Sequence, residues 1–399
     1  MLLRLLPLVT ATFAVGTDNF VLAGLQPAIA ADLDVTVAVA GQLVTVFALT
    51  FAVSASVLGT LTSGLDRRTA LLLALGIFVV GNVVTALGTV YAAVLAARVL
   101  TAAGAGMITS VASSTAAALA PPDRRGWAMS VVLGGLSAST AVGLPLGTLI
   151  GGVNWRLTLL VIAGLGLLAM AGIAVKLPRV VLPASTLRER FAPLRRPWIV
   201  GSLLTTVLLF AGTYLLYTYI AAALTGVTHG SVGRLTLILS LFGAGSVVGT
   251  LVSGRLSDRF APTRILTVTL LATAVVLAVG PWATAGTGTT LVWSALWGAC
   301  ASVSTVPLQY RLVAHAPAAS PVLLGLNSSA IYLGISLGGG LGGSLLAWLE
   351  ARYLGLPAAV LCLLALLLTL ATARQSPTTA RTTAVEEPST EVPGAAPAP

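Results

Sequence analysis

Runs of about 20 consecutive apolar residues, enough to cross the ~30 Å hydrocarbon core of a bilayer as a helix, recur twelve times along this chain. They lie near 5–26, 40–62, 70–89, 92–118, 127–151 and 155–177, then near 198–223, 232–253, 264–284, 289–312, 323–349 and 355–373. Inside lipid every backbone N–H and C=O must be satisfied within its own segment, so such runs dictate helices. Only 8% of the 399 residues are charged, against about 25% in an ordinary soluble domain. A water-facing globule is excluded, and the expected class is an all-α integral membrane protein with 12 spans.

The charges fall between the runs. Residues 178–197, with Arg188, Glu189, Arg190, Arg195 and Arg196 between two prolines, read as a basic linker. It separates two expected six-helix bundles, 1–177 and 198–373, and a Pro- and Thr-rich tail, 374–399, is expected to be disordered. Basic residues concentrate in cytoplasmic connections. With the N-terminus inside, all of the 21 basic residues except Arg98, Arg156, Arg234 and Arg352 fall on that side. Both termini are therefore expected in the cytoplasm, and the arginine-heavy, alanine- and glycine-rich composition fits a bacterial inner membrane. The first run continues past Asp18 without a convincing cleavage site and reads as a span, not a secretory signal.

Several function classes drop out. Cys300 and Cys362 sit in apolar stretches with no paired-ligand spacing, so no disulfide and no metal are expected. His229 and His315 fall in connections. No Walker loop, metalloprotease helix or Ser-His-Asp arrangement is visible, which excludes a self-contained ATP-driven pump. The net charge of +10 follows the topology and implies no nucleic-acid partner. An integral-membrane enzyme or scaffold would need a polar catalytic cluster at membrane depth, and the sequence offers one acid–base pair.

The chain repeats itself. Residues 59–64 read GTLTSG and 249–254 read GTLVSG; Gly143, Gly147, Gly151 and Gly152 recur as Gly334, Gly338, Gly342 and Gly343. A duplicated six-helix bundle has a midline cavity about which its halves can rock, which is a transporter's geometry.

Certain motifs go further. They are Gly16-Thr17-Asp18-Asn19-Phe20-Val21 in the first span and Arg98 followed by Gly104 and Gly106 in the fourth. Gly143-Leu144-Pro145-Leu146-Gly147 with Gly151-Gly152 and Trp155-Arg156 come next, then Gly254-Arg255-Leu256-Ser257-Asp258-Arg259 between spans 8 and 9. Over residues 5–373 the chain resembles the major facilitator superfamily, specifically its twelve-helix drug:proton antiporters and the arabinose and chloramphenicol efflux subgroup. The resemblance implies two pseudo-symmetric bundles, a monomer, and export of a small molecule driven by the proton gradient with no other cofactor. It also implies that the loops holding Asp66, Arg67 and Arg68 and holding Asp258 and Arg259 latch the inner face. Without the latch, their charges are a topology signal alone.

Asp18 is the one acidic residue placed well inside a span. A carboxylate near the bilayer centre costs roughly 3 kcal/mol unless paired or hydrated. Counting along spans 1 and 4 puts Asp18 and Arg98 at one depth, ~20 Å from the inner face. Burial disfavours the ionised carboxyl and a guanidinium favours it, so a change in their separation would load and unload a proton. The rival reading is a static ion pair. The symmetry mates, Leu208 and Thr289, carry no charge, so coupling is assigned to the first half. Cavity candidates are Phe210, Tyr214, Tyr217, Gln309, Asn327 and Tyr332 in the second half, with Gln42 and Asn82 in the first. The glycines at 143, 147 and 151, with 334 and 338, have the spacing that lets helix backbones approach, and Pro145 should kink its span. A cavity holding one acid and one arginine is near-neutral, which favours neutral or zwitterionic cargo. A drug such as chloramphenicol, a sugar or a nucleoside, and an uncoupled facilitator are all open at this point.

Overall fold

The computed structural model describes residues 2–121, 124–181, 186–314 and 319–373. Asp123, His315 and the tail from 374 lie outside them. Twelve helices are long and apolar enough to cross a membrane. The first six are α1 (Leu2–Asp32), α2 (Val37–Leu61), α3 (Arg67–Leu87), α4 (Tyr91–Leu119), α5 (Arg125–Val153) and α6 (Trp155–Lys176). The second six are α7 (Pro197–Tyr217), α8 (Val232–Arg259), α9 (Pro262–Ala283), α10 (Thr287–Ala314), α11 (Val322–Leu345) and α12 (Ala351–Thr372). The end of the bundle where α6 leaves and α7 begins is the linker end; the opposite one is the far end.

Three boundaries differ from expectation for local reasons. The first helix runs on to Asp32 because Pro27, one turn before the end, removes a single donor without breaking the ladder. The seventh stops at Tyr217, and Tyr219 and two short turns carry the chain to α8. The Gly254–Arg259 stretch, expected as a loop, is the last part of α8, which ends where the Phe260 amide reaches back to Leu256. Asp258 and Arg259 therefore stand on a helix end, whereas Asp66 is a true N-cap whose carboxylate accepts from the Thr69 amide at 3.1 Å.

Helix pairing in the first half is repeated in the second. The pairs α1–α5, α1–α6, α2–α4 and α3–α6 correspond to α7–α11, α7–α12, α8–α10 and α9–α12. Lipid supplies no hydrophobic drive between spans, so close backbone approach holds them. Gly143, Gly147 and Gly151 of α5 face Thr17, Val21 and Leu25 of α1, a four-residue ridge against a four-residue ridge. Gly334 and Gly338 of α11 lie on the backbone of α7 in the same way. Any side chain there would meet Val207 and Ala211 carbonyls, so glycine is required by approach.

Two prolines bend the bundle differently. Before Pro145, α5 contains one wide turn over Ser139–Gly143, which absorbs the amide that proline lacks. In α10, Pro307 leaves the Val303 carbonyl without its in-helix donor, and the helix is interrupted at Ser304. The Ser253 hydroxyl of α8 fills that vacancy with a 2.6 Å hydrogen bond to Val303.

Candidate functional site

The expected pair forms. Asp18 in α1 and Arg98 in α4 are both fully buried, and Nη1 of Arg98 donates to both carboxylate oxygens at 2.9 and 3.1 Å. The guanidinium also lies over the Phe47 ring, 4.3 Å from its centroid. Its Nε and Nη2 have no hydrogen-bond partner among the described residues. Glycines make the approach possible, since Gly104 sits against the α3 backbone and Gly106 against α2, drawing α4 into the bundle.

Beside the pair lies a cavity of about 280 Å³ between the halves. Aromatic rings form one wall: Phe20 of α1, Phe210 and Tyr214 of α7, Phe242 of α8 and Tyr332 of α11. Hydroxyls form the other, in pairs three or four residues apart: Ser137 and Thr140 on α5, Ser246 and Thr250 on α8, Ser302 and Thr305 on α10. Thr213 adds a hydroxyl that is buried and unpartnered among the described residues, and aliphatic side chains such as Leu209, Val247 and Ile331 complete the lining. No Asp, Glu, Lys or Arg is among the lining residues. Tyr332 connects cavity and pair: it lines the one, lies within electrostatic range of Asp18, and stacks on Phe51, next to Phe47.

The far end is shut. The Tyr219 ring presses on Gly41 and Gly342 and its hydroxyl donates to Gly339 at 2.9 Å, while Val232 of α8 abuts Gly152 of α5. Towards the linker end the two seams between the halves differ. The α2–α11 seam stays closed, with Thr45 against Gly339, Ser56 bonded to Ser329 at 2.6 Å, and Ser329 to Ala52 at 2.9 Å. Arg190, from the short linker helix Leu187–Phe191, reaches into this seam. It donates to the Ala55 carbonyl at 3.1 Å and Thr60 at 3.4 Å, beside Gly325 of α11. The α5–α8 seam closes only as far as Thr140 against Gly243, and the cavity occupies the cleft beyond.

Of the eight expected cavity residues, Phe210, Tyr214 and Tyr332 line it. The other five do not. Tyr217 packs behind Phe242 and Trp297. Asn327 is occupied by a 3.0 Å hydrogen bond from Thr206, and Asn82 donates to its own helix at Phe78. Gln42 lies by Gly343 at the far end, and Gln309 is half-buried on α10. The hydroxyl pairs were missed, although their spacing on one helical face was there to read.

The charged loops are not ion-paired with each other among the described residues. Hydrogen bonds from Thr69 hold the Asp66 carboxyl below the usual carboxylate range, with Arg179 adding to the effect. The Arg67 amide bonds Val180 in the linker and Arg68 bonds the Ala174 carbonyl of α6. Asp258 and Arg259 are exposed.

The family model described as Major Facilitator Superfamily matches residues 8–224 and, a second time, 202–397. The chain belongs to the major facilitator superfamily. The two matches are the two halves of the repeat. The superfamily chain is 32% identical over 378 residues to the inner membrane transport protein YdhP of Escherichia coli (strain K12), covering 94% of this chain and 97% of that protein. It is 33% identical over 350 residues to the uncharacterized MFS-type transporter YtbD of Bacillus subtilis (strain 168), covering 85% and 87%. A chloramphenicol resistance protein of Streptomyces lividans is 36% identical over 274 residues, covering 67% of this chain and 70% of that one. This superfamily member is thus a multi-pass membrane transporter for a small molecule.

Proposed function

We propose that this transporter exports a small amphiphilic compound, a drug such as chloramphenicol, across the bacterial inner membrane in exchange for protons, with its linker end and both termini in the cytoplasm. The observation that carries the reading is the fully buried Asp18–Arg98 pair, one tyrosine away from the cavity. A purely structural pair would be expected to use its donors fully. Arg98 leaves Nε and Nη2 unmet, so the guanidinium has bonds to offer elsewhere when Asp18 takes a proton and their attraction is lost. Cargo in the cavity and a proton on Asp18 then both act on Tyr332, and alternating access follows if each favours a different closure of the bundle. The wall supports an uncharged cargo, because rings and hydroxyls supply stacking and hydrogen bonds but no counter-ion. The Streptomyces relative named for chloramphenicol resistance points to the same class.

The test is cargo-induced proton movement in proteoliposomes, for wild type and Asp18→Asn, with chloramphenicol, arabinose and a nucleoside as cargo. Proton movement that requires both chloramphenicol and Asp18 is the expected result. A compound that crosses without moving protons would make the protein a facilitator, and movement with arabinose or the nucleoside alone would replace the cargo.

A further inference from the structure

Beyond Asp18, towards the far end, α1 carries two buried amides with bonding capacity to spare: Asn19 hydrogen-bonds Tyr214 but leaves its oxygen free, and Gln26 has no partner among the described residues. Asn19 is 4% exposed and Gln26 1% exposed. The Oδ1 of Asn19 and both Oε1 and Nε2 of Gln26 have no hydrogen-bond partner among the described residues. Seven residues at 100° each return to within about 20° of the same direction, so the two amides share one face of α1, ~10 Å apart along the axis. Leu22, on that face between them, is buried. Two more unmet hydroxyls, Thr218 and Thr236, stand towards the same far end in the second half, on the chain after α7 and near the start of α8.

An amide such as Gln26, held inside a membrane bundle with nothing among the described residues to bond, is an expensive arrangement, since no lipid group can replace the missing partner. Gln26 does not line the cavity, so cargo on the linker side does not reach it. Water entering from an opened far end is the partner that suits it. Tyr219 and its contacts seal the far end above this face. When that end opens, a column of about four waters at ~2.8 Å spacing would bridge the ~12 Å between Gln26 and Asp18. An amide suits that task because it donates and accepts at once and does not itself titrate.

We propose that Asn19 and Gln26 hold the water column through which a proton reaches Asp18 from the far end, making them positioning residues of the coupling step. A hydronium at the far side gives up its proton along the column to the Asp18 carboxylate; the proton leaves to water on the linker side after the bundle reverses. Proton and cargo thus use different parts of α1, the Gln26 turn above Asp18 and the Phe20 side facing the cavity, with Asn19 between them and bonded to the cavity's Tyr214. The proposal rests on the proton-exchange reading of Asp18.

The experiment has two arms. In the first, Gln26→Leu is reconstituted and compared with wild type in proton-driven efflux and in cargo-for-cargo exchange, which needs no net protonation. Proton-driven efflux should slow roughly tenfold, the weight of one lost hydrogen-bonding partner, while cargo exchange and cargo affinity stay at wild-type values. The unfolding temperature should rise, because an unmet amide has been replaced by an apolar group. Wild-type efflux, or equal slowing of both modes, would overturn the proposal. The second arm places Gln26→Cys in a Cys300→Ser, Cys362→Ser background and probes it with a membrane-impermeant, water-soluble maleimide from the far side. Labelling should appear under an imposed proton gradient and vanish when cargo holds that end closed; no labelling in either condition would overturn the wetted face. If wild type moves no protons with any cargo, the exchange reading falls, and the labelling arm still decides whether water enters here.

Discussion

Tyr332 stacks on Phe51 with ring centroids 3.5 Å apart and planes 17° from parallel, and this stacked tyrosine both lines the cavity and lies within electrostatic range of Asp18, the position of a partition between the two. Removing it should short-circuit the two. Tyr332→Ala is expected to give a cargo-independent proton leak in liposomes loaded with a pH-sensitive dye. Tyr332→Phe keeps the ring and should remain tight. A sealed Tyr332→Ala protein would show that the partition lies elsewhere.

The ion pair itself makes a stability prediction. Arg98→Met strands the Asp18 carboxylate in a site with no exposure, a change that typically costs about 3–5 kcal/mol. The double variant Asp18→Asn, Arg98→Gln removes both charges and should recover most of that loss in a detergent unfolding assay, while moving no protons. Equal destabilisation of the single and double variants would mean that packing against Phe47, not charge, dominates the site.

Ser253 and Pro307 are expected to be interdependent. Ser253→Ala leaves the Val303 carbonyl buried without a donor, at about 1–3 kcal/mol. In a Pro307→Ala background the restored amide of residue 307 can serve the same carbonyl, so Ser253→Ala should then cost under about 0.5 kcal/mol. Thermal unfolding of the four proteins measures the coupling, and strict additivity would refute the assignment.

Asp66 sets an acid dependence at the start of α3. Its carboxyl is depressed in the folded protein by hydrogen bonds from Thr69. Its contribution is therefore complete above the unfolded value of about 3.9 and is lost as pH falls through the lower folded value. Asp66→Asn keeps a capping oxygen. Unfolding temperatures of the two proteins should converge below about pH 4, with aspartate ahead above it; a constant gap across pH would mean that the charge contributes nothing.

Much of this architecture is legible in the residues alone, because membrane helices obey few rules and obey them strictly. Span number, the depth match of Asp18 and Arg98, and the α1–α5 glycine ridge follow from length, periodicity and the expense of a buried charge. Cavity residues are harder. A polar side chain in a span can be met in part by its own helix, as the Asn82 Nδ2 is while its Oδ1 stays unmet, or by a neighbour, as Asn327 is by Thr206, and composition does not distinguish these from a free group. Small hydroxyls are commoner still in spans, so Ser246 and Thr250 attract no notice until α5 and α10 bring Ser137 and Ser302 to face them.

The two interrupted helices, α5 at Ser139–Gly143 and α10 at Ser304, both border the cavity cleft. Their repeat partners, α11 and α4, run unbroken, and both pack on α2. A gene duplication has thus ended in a molecule with a spine and a fore-edge. The spine is the α2–α11 seam, stitched by Ser56, Ser329 and the linker's Arg190; the fore-edge is α5 with α8 and α10, where the joints are. Spin labels across the fore-edge at the linker end should separate further during turnover than labels across the spine, so that the protein works as a bound book opened at one margin.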